Sequence, residues 1–155
     1  MALPIDPGAL AAAVVEARRR LLRFVERCSD EQWSSMPLGD ADPRTVGTIV
    51  DHVADAYDYL GAWIDRLRRG EPAEVNRTVV DEFNARHAAA TPAPSRPDVA
   101  AHLARSGDTV VALISSLSPE QPDGDDTPVV RLAHIAARHA DSHRTELEAV
   151  LGFPS

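Results

Sequence analysis

Apolar residues recur at steps of three and four positions in four long segments, and this is the period of an amphipathic helix. The segments are residues 7–28, 43–69, 96–117 and 128–151. Each follows a side chain that can cap a helix, namely Asp6, Asp42, Ser95 and Thr127. Proline stands at the first helical position of the first, second and fourth segments, and Gly70 and Gly152 follow the second and fourth.

The segment pattern predicts an all-α protein. Residues 78–90 can form a short extra helix between the second and third long helices. Four long helices of similar length with a longer crossover in the middle indicate a four-helix bundle. A chain of 155 residues is long enough to bury one core, so we expect a single domain over residues 1–155.

Charge and composition narrow the possible partners and the location. A formal net charge of -8 and a pI near 5.1 argue against binding to nucleic acid or to an anionic membrane surface. No apolar stretch reaches the roughly 20 residues that span a bilayer. Cys28 is the single cysteine and nothing resembles a signal peptide, so we expect a cytoplasmic protein. The acidic run D-G-D-D at 123–126 lacks the ligand spacing of a calcium loop and predicts a solvated turn.

Two histidines on the fourth helix are candidate metal ligands. His139 and His143 are four positions apart, which places both imidazoles on one face, and their nitrogens can then converge on one cation about 2 Å from each. By helical phase His143 lies in the middle of the inner face, His139 lies nearer its edge, and His134 faces solvent. That inner face comprises Val129, Leu132, Ala136, Ala140, Leu147 and Val150.

The remaining histidines give weaker signals. His52 lies at the margin of the apolar stripe of the second helix, where it can face a neighbouring helix or be half-exposed. His87 and His102 have no partner at a useful spacing, and we expect both at the surface. From these residues alone, the inward histidines are either ligands of a metal or core residues that only form hydrogen bonds.

Two sequence stretches point to a family. The stretch T-V-G-T-I-V-D-H-V-A-D-A contains His52, and the stretch H-A-D-S-H-R-T-E-L begins at His139. Together with S-D-E-Q-W at residues 29–33, they resemble the DinB/YfiT-like superfamily from the first helix to Leu151. The resemblance implies an up-down-down-up bundle, frequently a homodimer, in which His52, His139 and His143 bind zinc or nickel.

The resemblance also implies a chemistry. One branch of that superfamily uses thiols such as mycothiol or bacillithiol as cosubstrates, so we expect a thiol S-transferase that acts on a small electrophile. The mycothiol-dependent maleylpyruvate isomerase branch has Glu at the position of His139, which argues against that particular isomerase. Thr145 and Glu146 stand where the family often has Gly and Gln, and Pro43-Arg44 stands where it commonly has Trp.

Several interpretations of function remain open. An open three-histidine metal site supports hydrolysis as well as thiol transfer, and Glu146 and Tyr59 are candidate general bases that can equally be solvated or structural. The alternative to an enzyme is a bundle that binds a metal or a small ligand without catalysis. A third interpretation is an empty bundle in which the histidines merely form hydrogen bonds.

Overall fold

Helices account for all the regular structure of the described chain. The computed structural model describes residues 5–119 and 127–154, and the acidic turn predicted at 123–126 lies outside them. In order, the elements are α1 (Pro7–Arg27), α2 (Asp30–Ser34), a 3-10 turn (Gly39–Ala41), α3 (Val46–Arg68), α4 (Arg77–Ala90), α5 (Arg96–Ser115) and α6 (Pro128–Leu151). No strand occurs in these two ranges, so the predicted all-α class is confirmed. None of the described helices is long and apolar enough to cross a membrane.

Three of the four predicted helix starts are confirmed by their caps. In each, the side-chain oxygen of the cap accepts the backbone N–H three residues later, which satisfies one of the free donors at a helix N-terminus. The distances are 2.9 Å for Asp6, 3.2 Å for Ser95 and 3.3 Å for Thr127. The extra helix predicted at 78–90 is also present, as α4.

The predicted start of the second long helix, with Asp42 as cap and Pro43 as first residue, is wrong. The cap of α3 is Thr45, whose hydroxyl accepts the N–H of Thr48 at 3.1 Å. Both carboxylate oxygens of Asp42 instead accept hydrogen bonds from the Arg44 guanidinium, at 2.8 and 2.7 Å. Because that ion pair engages the carboxylate, Asp42 and Pro43 stay outside the helix.

The long helices form a bundle in which α1 and α3 occupy opposite corners. Both pack against α5 and against α6, and α4 packs on the outer side of α3. The predicted four-helix bundle with a short extra helix in its crossover therefore describes the packing. The up-down-down-up course of the helices stays a prediction.

The core ends one turn before α6 does. Val150 was expected on the inner face, but it is 49% exposed, and Leu147 is the last buried residue of the helix. The chain turns at Gly152, whose φ of 76° lies in the left-handed region that glycine adopts without strain. Phe153 then packs on Phe24 with 5.3 Å between ring centroids, so it covers this end of the core in place of Val150.

The short helix α2 carries an anchor that the apolar periodicity does not reveal, since five residues are too few to show it. Ser29 and Gln32 form a reciprocal capping box, and Trp33 is buried at its end. The indole N–H of Trp33 donates to the carbonyl of Pro94 at 2.9 Å. Its ring lies on Gly47 of α3, so the connections before α3 and α5 meet at this tryptophan.

Alanine at Gly47 is expected to destabilise the protein. Its Cβ would lie 2.8 Å from Cε2 and 2.9 Å from Nε1 of Trp33, and the hydrogen bond of the indole to Pro94 keeps the ring from moving away. Overpacking of this kind costs about 1–3 kcal/mol. Chemical denaturation should therefore show a free energy of unfolding lower by about 1 kcal/mol or more, after the better helix propensity of alanine is included.

Gly61 on the same helix provides the matched control. A Cβ there meets Val110 at 3.8 Å, an ordinary van der Waals distance. Gly61→Ala should leave the free energy of unfolding unchanged or raise it by up to about 1 kcal/mol. Equal effects of the two substitutions would show that contact with Trp33 does not limit the space at Gly47.

Candidate metal centre

The structure brings the three predicted ligands, His52, His139 and His143, into one cluster. His52 extends from α3, and the other two extend from α6. The ring centroid of His52 lies 5.1 Å from that of His139 and 5.2 Å from that of His143, and the two α6 rings are 4.7 Å apart. One ring nitrogen from each residue lies within 4.8 Å of the others, so the cluster is compact enough to hold a single ion.

The closest pair of nitrogens fits a shared metal. Nε2 of His52 lies 3.2 Å from Nε2 of His139. Two imidazole nitrogens bound to one tetrahedral ion at about 2.0–2.1 Å are separated by about 3.3 Å. No Cys, Asp or Glu among residues 5–119 and 127–154 joins the group as a further ligand. Three protein ligands are typical of catalytic zinc sites, whereas structural sites have four.

Burial favours the neutral imidazoles that a metal requires. His52 is 3% exposed, and its burial, together with the neighbouring His139 and His143, lowers its pKa to about 2. Burial also lowers the pKa of His139 to about 3, with a further contribution from His143. For His143, burial lowers the pKa while the negative charge of Glu146 partly opposes the shift. Neutral rings keep their lone pairs available for a cation.

His52 also leaves an orphaned buried atom, since its Nδ1 has no hydrogen-bond partner among the described residues. The residue is fully buried, not marginal, because α4 and the segment after it cover this side of α3. The hydroxyl of Thr48, one turn earlier on α3, donates to the carbonyl of Thr91 at 2.7 Å. The ring of His87 from α4 lies 6.1 Å from that of His52.

Helix α6 is fixed against α1 between the two histidines that it contributes. The Arg20 guanidinium donates two hydrogen bonds to the carboxylate of Asp141, at 2.9 and 2.6 Å. Asp141 lies midway between His139 and His143 in the sequence, so this bidentate pair restrains the rotation of the helix where the ligands are. His134, five positions before His139 on the same helix, is exposed as predicted.

The charged residues Arg44 and Glu146 lie near the triad, whereas Tyr59, the other candidate base, does not. The positive charge of Arg44 contributes to the lowered pKa values of His52 and His143. The negative charge of the exposed Glu146 acts in the opposite direction on His143 and raises the pKa of Arg44. Tyr59 packs instead in an aromatic group outside the triad. Its ring lies 5.2 Å from that of Trp63 and 5.4 Å from that of Phe83, and burial raises its pKa to about 12.

The expectation that His87 and His102 lie at the surface is wrong. His87 is 8% exposed, and its Nε2 lies 2.7 Å from Oδ2 of Asp51. His102 is half-buried, with Nδ1 2.8 Å from Oδ1 of Asp51 and Nε2 3.1 Å from Asp58. The apolar periodicity gave no signal for this group, because Asp51 lies off the apolar stripe of α3 and is buried only where α4 and α5 pack on that side.

The Asp51 group is an ion-pair cluster with strongly shifted pKa values. Burial disfavours the ionised carboxylate of Asp51, but the hydrogen bonds of His102 and His87 outweigh it and hold the pKa at about 2. The hydrogen bond to Asp51 raises the pKa of His102 to about 9, although burial opposes the shift. His102 is therefore cationic near neutral pH.

Comparison with known proteins places the chain in a family. A search of curated proteins and a search of solved structures each found no match. A family model described as the DinB superfamily matches residues 13–147, which is most of the chain and includes His52, His139 and His143. The all-helical fold and the triad agree with that match. The chain belongs to the DinB superfamily.

Proposed function

We propose that this protein is a divalent-metal-dependent enzyme whose ligands are His52, His139 and His143. The observation that carries the proposal is the convergence of these imidazoles, 3.2 Å apart at the closest pair, without a fourth protein ligand in the described chain. Zinc or nickel is the metal that the family resemblance implies. Such an ion supplies a Lewis acid that lowers the pKa of a water or thiol at its open position.

The reaction that we propose is transfer of a low-molecular-weight thiol, of the mycothiol type, to a small electrophile. The two α6 histidines are only partly buried, so a substrate can approach the cluster from their side. Glu146 is the candidate to take up the thiol proton, because it is exposed and its charge reaches His143. Arg44, beside Asp42, adds positive charge near the same rings, where it would favour an anionic sulfur.

The alternative is a DinB-type bundle that binds metal without catalysis. Three neutral imidazoles hold a cation whether or not a substrate follows, and the triad does not choose between the two. The same residues are required in both cases, so a measurement of metal alone does not separate them. A measurement of thiol consumption does.

We expect the metal-loaded protein to consume mycothiol or bacillithiol in the presence of an electrophile from a broad panel. His139→Ala should reduce the rate to that of the uncatalysed reaction, because the site loses a ligand. Glu146→Gln should lower the rate by about 10²-fold or more if its carboxylate takes the proton. The assay follows the disappearance of free thiol with protein that carries no affinity tag.

His134→Ala is the control for this assay, since it removes an exposed histidine of the same helix. Its rate should equal that of the unsubstituted protein. Silence across the panel with both thiols, from protein that does contain metal, would contradict the transferase and support the binding protein.

A further inference from the structure

A second cavity lies between α3, α4 and α5, and none of its lining residues belongs to the histidine triad. Its volume is about 630 Å³, which is within the range of small-molecule sites. Asp51, Asp55 and Asp58 of α3 line one side, and residues of α4, with His102 of α5, line the other. We call it the α3–α4–α5 cavity.

Asp55 is the carboxylate of this cavity that has no partner. Asp51 and Asp58 accept hydrogen bonds from His87 and His102, whereas Asp55 makes no hydrogen bond or ion pair with any residue in 5–119 or 127–154. Asp55 is half-buried, and burial raises the pKa of its carboxyl. A half-buried carboxylate without a partner is stabilised when a cation binds to it.

His87 lines the same cavity, but its nitrogens do not face a ligand there. Nε2 lies 2.7 Å from Oδ2 of Asp51, and Nδ1 is a buried atom without a hydrogen-bond partner within the described ranges. Because His87 and His102 engage Asp51, and His102 engages Asp58, Asp55 is the carboxylate that a ligand in the cavity can pair with.

The cavity also offers an aromatic wall. Tyr59 and Phe83 line it with 5.4 Å between their centroids, and Trp63 stacks behind Phe83 at 5.8 Å. Aromatic faces attract cations and cover apolar groups. The unpartnered carboxylate and the ring faces together have the chemistry that recognises an ammonium group on an apolar body.

We propose that the α3–α4–α5 cavity binds a small primary amine as its ammonium ion. The carboxylate of Asp55 accepts its N–H groups, and its apolar part lies against Tyr59 and Phe83. The site is separate from the triad and does not depend on a bound metal.

Arg86 is placed to contact a second charged group on the ligand. Its guanidinium lies 5.8 Å from the ring centroid of Phe83, lines the same cavity and makes no ion pair with any described residue. Arg86 is exposed, so it is at the rim, where it would pair with a carboxylate on the ligand. The ammonium group can therefore belong to a simple amine or to an amino acid, and comparing the binding of an amine with that of the corresponding amino acid distinguishes the two.

The test is titration of the full-length protein with 2-phenylethylamine, followed by calorimetry or by NMR. We expect binding, and Asp55→Asn should weaken it about tenfold or more because the ligand loses a charge-assisted hydrogen bond. His139→Ala should bind the amine as the unsubstituted protein does. 2-Phenylethanol, which has the same body without the charge, should bind at least about tenfold more weakly.

Phenylalanine is the second probe, with Arg86→Gln as its variant. Tighter binding than that of the amine, lost in Arg86→Gln, would support an amino-acid-like ligand, and equal or weaker binding would support a simple amine. Asp55→Asn keeps the size of the side chain and removes no hydrogen bond or ion pair with a described residue, so a thermal melt should show it folded. No binding of 2-phenylethylamine up to about 10 mM, or equal binding by Asp55→Asn or 2-phenylethanol, would overturn the proposal.

Discussion

His139→Ala should reduce the metal content of untagged protein from about one equivalent to less than about a tenth. The substitution removes the nitrogen that lies 3.2 Å from Nε2 of His52 and leaves two imidazoles, which are too few to hold an ion against dilution during purification. Loss of an outer-shell hydrogen bond alone costs about 10–100-fold in metal affinity, so loss of a ligand should cost more than about 100-fold. Elemental analysis gives the content, and competition with a chelator gives the affinity.

His139→Ala should fold well enough for this comparison. Burial lowers the pKa of His139 to about 3, which shows that the protein around it does not favour its charged form. Replacing it in the metal-free protein removes a poorly solvated ring whose hydrogen bond and ring contacts within the described residues are with His52 and His143. Circular dichroism should show the helical signal of the unsubstituted protein.

His134→Ala is the matched control, because it removes an exposed histidine from the same helix. Its metal content should equal that of the unsubstituted protein. Less than about a tenth of an equivalent in the unsubstituted protein, unchanged by His139→Ala, would contradict both metal proposals. The triad would then be a buried group of histidines that only form hydrogen bonds.

The part of the site on α6 could be predicted from the sequence because it is a property of one helix. The phase of 100° per residue places His139 and His143 on the buried side and His134 in solvent, and the structure has them so. The caps of α1, α5 and α6 are local in the same sense. Each depends on a side chain and a backbone N–H three residues apart.

The burial of His52 could not be predicted, because it depends on where another element packs. The stripe of α3 accounts for its contacts with α5 and α6, whereas the helix α4 and residues 91–94 cover a further side. His52 lies at the boundary between these two faces. The start of α3 was mispredicted for a local reason, since two candidate caps lie three residues apart and Asp42 pairs with Arg44, which leaves the cap to Thr45.

The Asp51 cluster was missed for a similar reason. Its members are separated by 36 and 51 positions in sequence, and no spacing on one helix connects them. His87 has no carboxylate three or four positions away on α4, and Asp98, four positions before His102 on α5, does not pair with it. Only the packing of α4 and α5 on α3 turns two isolated histidines into partners of one carboxylate.

Asp51→Asn is expected to produce the largest loss of stability among these substitutions. The carboxylate holds His87 at 2.7 Å and His102 at 2.8 Å while it is almost fully buried. Removal of one partner of a buried ion pair costs about 3–5 kcal/mol, and because an amide still forms weaker hydrogen bonds we expect about 3 kcal/mol. Asp55→Asn, one turn along α3, removes a carboxylate without a described partner and should leave the free energy of unfolding nearly unchanged.

The pH dependence of stability separates the ion pair from a mere loss of packing. His102 has its pKa raised to about 9 in the folded state, so its contribution is complete below the unfolded pKa of about 6.5 and is lost as the pH rises through about 9. Asp51, with its pKa lowered to about 2, contributes above about pH 4 and loses its contribution as the pH falls toward 2.

Between about pH 6 and about pH 8.5, the ion pair of His102 should therefore contribute about 1 kcal/mol less to stability, a value reduced for the partial exposure of His102. In Asp51→Asn this loss should be markedly smaller, because the pKa of His102 returns toward its ordinary value once the carboxylate is neutral. The stability of Asp51→Asn relative to the unsubstituted protein should therefore rise by about 1 kcal/mol over the interval, and denaturant titrations at the two pH values measure this difference. The three triad histidines, with lowered pKa values, favour the folded state more as the pH rises, and Cys28, whose pKa burial raises to about 11, also affects stability in alkali, but all four are common to both proteins and cancel in the comparison. Parallel pH profiles for the two proteins would show that Asp51 does not hold the charge of His102.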